Sequence, residues 1–327
     1  MKKIDQMKLK KNMSIGEFVS CFENTAFNSR RLASAVDIYE EMINQNAEKF
    51  FGLAGAMIPA GMRQIIIDMI EREWIDVLVT TGANLTHDLI EAFGYHHYID
   101  IPDSLGLSNF EFDPTKGGNE MENKPLSDSD LRDKGISRIY DVFITNDAFI
   151  NLEKNLWEIF DDIGERGSIS ISNLIKEVGA RLNDKNSIIG KAYEKNVPIF
   201  CPALADSIFG LQAWMYGQTH NLKVGAFNDL NDLTDICFES DKNGVLIVGG
   251  GVPKNFIFQT MLLKPDSGFD YAIQITMDRP ETGGLSGATL EEAVSWGKIK
   301  DTGKAVVVYS DATIVLPLIY GALVDRF

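Results

Sequence analysis

Lys298 is the residue whose type and setting point most directly to chemistry. It ends the stretch Glu291-Glu292-Ala293-Val294-Ser295-Trp296-Gly297-Lys298, where apolar and aromatic neighbours stand beside an amine. Burial disfavours the charged ammonium, and a neutral lysine amine is a nucleophile that forms Schiff bases. The plainer alternative, which residue type alone favours, is a lysine complementing the negative end of a helix dipole.

Four loops could bring a ligand to such an amine. Asp76–Thr80 runs into Thr81-Gly82-Ala83-Asn84, and Gly244–Val248 runs into Gly249-Gly250-Gly251. Tyr271–Thr276 leads to a loop ending Gly283-Gly284-Leu285-Ser286-Gly287, and Val306–Tyr309 runs into Ser310-Asp311-Ala312-Thr313. Small residues beyond a strand let a ligand approach the backbone, and an Asp there accepts hydrogen bonds from ribose hydroxyls, so a dinucleotide is the natural guess. Each loop is a weak signal, because glycines after strands are more often turns. No GxGxxG stands behind a first strand and no GxxxxGK[ST] is present. Of the four histidines, His96 and His97 are adjacent and lack ligand-spaced partners, so no metal site is expected. His87, just past the Thr80–Asn84 loop, is the one histidine placed where a site would be, with a structural role equally compatible.

These loops need a scaffold, and the pattern supplies one. Strands are expected at Phe50–Leu53, Asp76–Thr80, Val142–Ile144, Pro198–Phe200, Gly244–Val248, Tyr271–Thr276 and Ala305–Tyr309. Several are unbroken apolar runs, the mark of strands covered on both faces. Helical spacing recurs over Met62–Glu73, His87–Phe93, Leu152–Ile163, Ile171–Leu182, Phe227–Glu239, Leu290–Lys298 and Thr313–Val324. The alternation predicts an α/β protein, a Rossmann-like doubly wound parallel sheet with helices on both faces. Ser14 to Asn44 reads as an N-terminal helical extension, with Ser14 and Glu17 at capping-box spacing. Residues 1–45 are thus an arm and helix, and 46–327 one large domain. Asp103–Ser129, rich in Gly, Pro and charge, reads as a long surface loop, a lid or an interface arm.

Composition narrows the function. Among 327 residues, 31 Lys and Arg face 47 Asp and Glu, a net charge of −16. Such a surface repels nucleic acid and anionic membrane and suits cationic partners such as polyamines or a basic protein, though it also simply keeps a protein soluble. Cys21, Cys201 and Cys237 form no disulfide framework. With no signal peptide in view and apolar runs too short for a bilayer, a cytoplasmic location is expected.

The run Glu292-Ala293-Val294-Ser295-Trp296-Gly297-Lys298 resembles the deoxyhypusine synthase family, which includes homospermidine synthases. So do DVLVTTGANLTHDL at Asp76–Leu89, VPIFCPALAD at Val197–Asp206, VLIVGGGVPK at Val245–Lys254 and VYSDATIVLPL at Val308–Leu318. Together they run in order from about Ser14 to the C-terminus. The resemblance implies an NAD-dependent transfer of an aminobutyl group from spermidine to an acceptor amine through a lysine Schiff base. The acceptor is a lysine of a translation factor, or putrescine in homospermidine synthases. It implies Lys298 as the Schiff-base lysine, with Trp296 and Glu292 lining the amine. It also places Thr81, Gly82, Asp206, Gly249, Gly250, Gly251, Thr276, Ser286 and Asp311 against NAD, and implies a homotetramer.

This chain departs from the family pattern at polyamine-gripping positions. Leu211 and Leu285 stand where carboxylates are expected, Asn255 where a histidine is, and His87 where a glutamate is. Asn255 and His87 are carried as substrate-side candidates. A buried ammonium without a carboxylate is costly, so a different donor or acceptor amine is an open alternative, as is a non-catalytic NAD-binding homologue.

Overall fold

The structure, a computed structural model, describes residues 3–99, 127–164, 167–184, 186–264 and 268–327. Most of the Asp103–Ser129 segment lies outside the described residues; its end, from Ser127, opens a short helix at Asp128–Asp133 with a capping box.

Among the described residues ten strands are formed: β1 Glu48–Leu53, β2 Val77–Thr80, β3 Ile136–Ile139, β4 Val142–Thr145, β5 Gly167–Ser170, β6 Ile199–Phe200, β7 Leu222–Gly225, β8 Asn243–Val248, β9 Phe269–Thr276 and β10 Ile299–Tyr309. Six build one parallel sheet in the order β10-β9-β8-β1-β2-β6, while β3–β4 and β5–β7 are separate pairs. Successive residues feed opposite faces. Phe51, Leu78 and Leu246 join one core, and their neighbours Phe50, Val77 and Val245 join the other. Both faces are therefore apolar, which is why these strands read as continuous runs instead of alternations.

The N-terminal region is two helices rather than one, Ile15–Ser20 and Phe27–Asn44. The predicted Ser14–Glu17 capping box starts the first. The second buries Leu32, Ala35, Val36, Tyr39 and Met42 on the sheet beside β8, β9 and β10. Besides the short helix Asp128–Asp133, three helices escaped the sequence reading: Ile188–Lys195, Ile208–Gly217 and Gly251–Met261. The fully buried Asp88 secures the first. It pairs with Arg63 at 2.7 Å and accepts the N–H groups of Ile188 and Ile189 at 2.9 and 3.0 Å. Among the described residues no helix is long and apolar enough to cross a membrane.

Candidate functional site

The connectivity itself locates a crevice. Numbered along the chain, the six sheet strands lie in the order third, second, first, fourth, fifth, sixth, so the winding reverses between β1 and β8. In such sheets ligands bind beyond the carboxyl ends at that reversal. The three consecutive glycines fall there. A Cβ on Gly250 would stand 2.4 Å from the Cα of Ser286, so bare backbone is what lets the Ser286 turn close over β8. Gly251 opens the helix Gly251–Met261 at φ +56°, with empty space where a Cβ would be. One glycine thus serves packing, and another leaves a helix N-terminus approachable by an anionic group.

The β2 loop arrives from the other side of the reversal. Thr80 Oγ1 donates to the Leu53 carbonyl at 3.0 Å, joining the ends of β2 and β1. Thr81 caps the helix Gly82–Ala92, which therefore starts earlier than the expected His87. A Cβ on Gly82 would lie 2.3 Å from Ser207 Oγ, so this glycine allows the helix to meet the turn that carries the exposed Asp206. Asn84 was not singled out for a role by the sequence. Its Nδ2 donates to Thr80 Oγ1 at 3.3 Å, while its buried Oδ1 has no partner among the described residues. A buried carbonyl left unpaired is costly, and a ligand N–H or O–H would satisfy it.

Beyond β9 and β10, Thr276, Ser286 and Asp311 share the same edge. Asp278 accepts from Ser286 Oγ at 2.9 Å and donates its N–H to Thr276 Oγ1 at 3.0 Å. Hydrogen bonds from Ser286 and the Arg279 N–H hold the Asp278 carboxyl below the usual carboxylate range. Ser310 N–H donates to the Thr276 carbonyl at 3.1 Å. Asp311 caps the helix Ala312–Arg326: Oδ1 accepts from the N–H and Oγ1 of Thr313 at 2.7 and 2.8 Å. Its Oδ2 has no partner among the described residues, so capping and a ribose contact can coexist.

Lys298 is not on a helix. The helix stops at Ser295; Trp296 is its cap, and Gly297 at φ +72° admits the left-handed turn. Gly297 and Lys298 donate their N–H groups to Val294 and Ala293 at 2.9 Å each, a Schellman closure. The Lys298 carbonyl accepts from Phe269 N–H at 3.0 Å, which sets its backbone beside the first residue of β9, at the amino end of the sheet. Its half-buried side chain brings Nζ to 5.7 Å from the ring centre of the largely exposed Trp296, within cation–π range.

The buried cation of this region that sequence reading did not single out is Lys254. It is 3 % exposed, and its Nζ donates to Gln274 Oε1 at 2.9 Å, the Ala288 carbonyl at 2.5 Å and the Leu285 carbonyl at 3.4 Å. Gln274, also buried, donates from Nε2 to the carbonyls of Gly249 and Ser286 at 2.8 and 2.9 Å. The pair straps the triple-glycine loop to the turn that starts the Glu292 helix. Burial lowers the Lys254 pKa to about 8, with the charge of Glu292 working against the shift and that of Lys298 adding to it. Lys254, Glu292 and Lys298 therefore form one electrostatic group. An apolar-looking VPKN segment hid this lysine; its place just after three glycines was the available signal.

Among the substitute positions, Asn255 is half-buried beside Lys254, and Leu211 and Leu285 are exposed, as are nearby Trp214 and Met277. His87 is half-buried and bonded to His97, with Nδ1 2.9 Å from His97 Nε2. His97 Nδ1 lies 2.6 Å from Glu91 Oε1, and His96 Nδ1 lies 3.0 Å from Glu91 Oε2. The adjacent histidines thus share one carboxylate. Burial opposes the Glu91 charge, yet hydrogen bonds from His97 and His96 prevail and hold its carboxyl at about 2. Burial, aided by His97 and opposed by Glu91, pushes His87 down to about 4.

Comparison with known proteins adds an independent line. A family model described as deoxyhypusine synthase matches residues 17–323. A Methanosarcina acetivorans protein named probable deoxyhypusine synthase 1 is 49% identical over 320 residues, covering 98% of this chain and 93% of its own length. An Archaeoglobus fulgidus protein of the same name is 44% identical over 324 residues, covering 99% of this chain and 98% of its own. The solved structure of an Entamoeba histolytica protein assigned as a deoxyhypusine synthase aligns with TM-score 0.65 at 20% identity, over 98% of this chain and 96% of that one. At that identity the likeness speaks for the fold.

Proposed function

The chain belongs to the deoxyhypusine synthase family, and from that premise we propose that this transferase moves an aminobutyl group from spermidine to an acceptor amine, with NAD as redox cofactor and Lys298 as covalent carrier. The observation that carries the reading is the Lys254–Gln274 strap, which ties the glycine-rich edge at Gly249 and Ser286 to the turn at Ala288 that starts the helix leading to Glu292, Trp296 and Lys298. The residues at that edge fit NAD: an open helix N-terminus at Gly251, an unpartnered buried Asn84 Oδ1 and a free Asp311 Oδ2. When bound, NAD supplies the oxidant that makes the donor amine an imine and returns the reducing equivalents at the end. Thr81, Gly82, Asp206, Gly249, Gly250, Thr276 and Ser286 shape its cradle.

The protein's own groups do the rest. The Trp296 face packs on the aliphatic chain and Glu292 pairs with an ammonium. Lys298 attacks the imine carbon, displaces diaminopropane and holds the four-carbon unit until the acceptor amine takes it. The acceptor in this reading is a lysine of a basic translation factor, which a chain of net charge −16 attracts. The exposed apolar residues Leu211, Trp214, Met277 and Leu285 suit burial in a homotetramer. The free cysteines suit a reducing, cytoplasmic setting.

Incubation with NAD and spermidine, followed by borohydride and mass spectrometry, tests this reading. A NAD-dependent adduct on the Lys298 peptide is expected. Supplying putrescine and the translation factor in parallel identifies the acceptor. Turnover with no adduct on Lys298 would remove its covalent role.

A further inference from the structure

Lys254 is a buried cation whose bonding partners are all neutral. It is the fourth residue of the helix Gly251–Met261, one turn beyond the opening glycine. Its Nζ meets Gln274 Oε1 at 2.9 Å and the carbonyls of Ala288 and Leu285 at 2.5 and 3.4 Å, which uses every proton of an ammonium. Among the described residues no carboxylate pairs with it within 4 Å. Burying a charge without its opposite is costly. The charge also lies directly under the ligand edge. Leu285 immediately precedes Ser286, whose Cα would stand 2.4 Å from a Cβ on Gly250. Gln274 passes the contact on, from Nε2 to the Gly249 and Ser286 carbonyls at 2.8 and 2.9 Å. The ammonium is thus one amide group from the glycine run, and its field adds to the positive end of the helix that Gly251 opens.

We propose that Lys254 is the counter-charge for the diphosphate of the dinucleotide, its field and the Gly251 helix end together drawing those anionic oxygens to the three-glycine loop. This rests on the NAD reading above and deepens it. Lys254 is a positioning residue in this role: its protons are spent on the protein, so it acts on the ligand through space and through the loop it holds. An anion bound over the loop offsets the cost of the buried ammonium, so binding draws a proton onto Lys254 and the proton strengthens binding. The two are linked, and the sign follows. In the free protein burial lowers the Lys254 pKa to about 8, with Glu292 opposing the shift and Lys298 adding to it. Those are the ionisable groups that bear on Lys254; Asp278, in the neighbouring turn, accepts from Ser286 Oγ and the Arg279 N–H. Above pH 8 the free protein has given up the charge, and affinity for the diphosphate falls as pH rises.

Titration with NADH, which carries the diphosphate and tolerates alkali, tests this without turnover. Wild-type affinity should fall about tenfold between pH 7 and pH 10. Calorimetry in two buffers of different ionisation enthalpy should show about half a proton taken up per NADH at pH 8.5. This measurement needs no variant. Lys254→Met should bind about tenfold more weakly at pH 7 and lose most of that uptake, so its gap from the wild type narrows as pH rises. Lys254→Arg stays charged throughout and should bind equally well at both ends of the range. NADH binding without proton uptake, or a gap between wild type and Lys254→Met that stays constant with pH, removes this inference and leaves the NAD reading standing. No NADH binding by the wild type at any pH removes both.

Discussion

Two buried lysines mark opposite ends of the sheet in opposite ways. Lys49, at the amino end of β1, lies 2.6 Å from Asp76 and also donates to the Ala47 carbonyl at 3.0 Å. Lys254, beyond the carboxyl end of β8, is as deeply buried but bonds only to an amide oxygen and two carbonyls. Among the described residues no carboxylate pairs with it within 4 Å. A cation cancelled by a neighbouring anion is structural, and its field ends there. One held by neutral dipoles keeps its field, and here that field falls on the group containing Glu292 and Lys298. The charge of Lys49 is cancelled where it sits, while that of Lys254 is left to act on the groups around it.

Substitutions can break this contrast. The largest effect is expected at Lys298, the proposed covalent carrier. Lys298→Arg keeps the charge, yet guanidinium stays protonated and forms no Schiff base. It should fold and bind NAD while transfer and borohydride-trapped adduct both vanish; product at the wild-type rate would end the covalent assignment. Lys254→Met should come next. It unpairs Gln274 Oε1 and the Ala288 carbonyl and loosens the glycine strap, so transfer should fall roughly tenfold to a hundredfold, much as misplaced catalytic groups do. Thermal unfolding checks that the fold survives.

Lys49→Met is the control from the other end. Breaking a buried pair costs about 3–5 kcal/mol. Asp76 is 28% exposed and keeps the Lys49 N–H at 2.8 Å, so about 2 kcal/mol is expected. Denaturant titration should show that loss with kcat unchanged, and a matching loss of activity would erase the contrast. Asp311→Ala should be smaller: about 1 kcal/mol from the lost helix cap, and weaker NAD binding by calorimetry from the lost ribose acceptor.

The subtlest test is pH. The folded pKa of Lys254, about 8, lies below its ordinary 10.5. Between those values the unfolded chain binds a proton that the folded one does not, so stability gains from this group as pH rises through that window. Below pH 8 the cost of burying the charge is fully present. The wild type should therefore gain stability relative to Lys254→Met between pH 8 and 10, and parallel curves would contradict the assignment.

Much of this arrangement was legible in the amino-acid order. Continuous apolar strands announce a sheet covered on both faces, because Phe50 and Phe51 must each find a core on opposite sides. The Glu292–Lys298 run and the three glycines are local, and local features survive in sequence. Even there, Lys298 lies beyond the observed helix, because a left-handed Gly297 ends it three residues before the expected Lys298. The helices Ile208–Gly217 and Gly251–Met261 have no clean polar face, because apolar Leu211, Trp214 and Val252 stand on their exposed sides, and periodicity could not find them.

Other features exist only in three dimensions. The strand order that puts the crevice between β1 and β8 joins segments almost two hundred residues apart. The neutral cage of Lys254 takes its oxygens from Gln274, Leu285 and Ala288. The Glu91–His97–His87 chain closes only because the segment after the helix folds back along it. Residue type sets what a side chain can donate or accept, but its partner, its burial and hence its proton affinity are properties of the packed neighbourhood, which tertiary structure alone assembles.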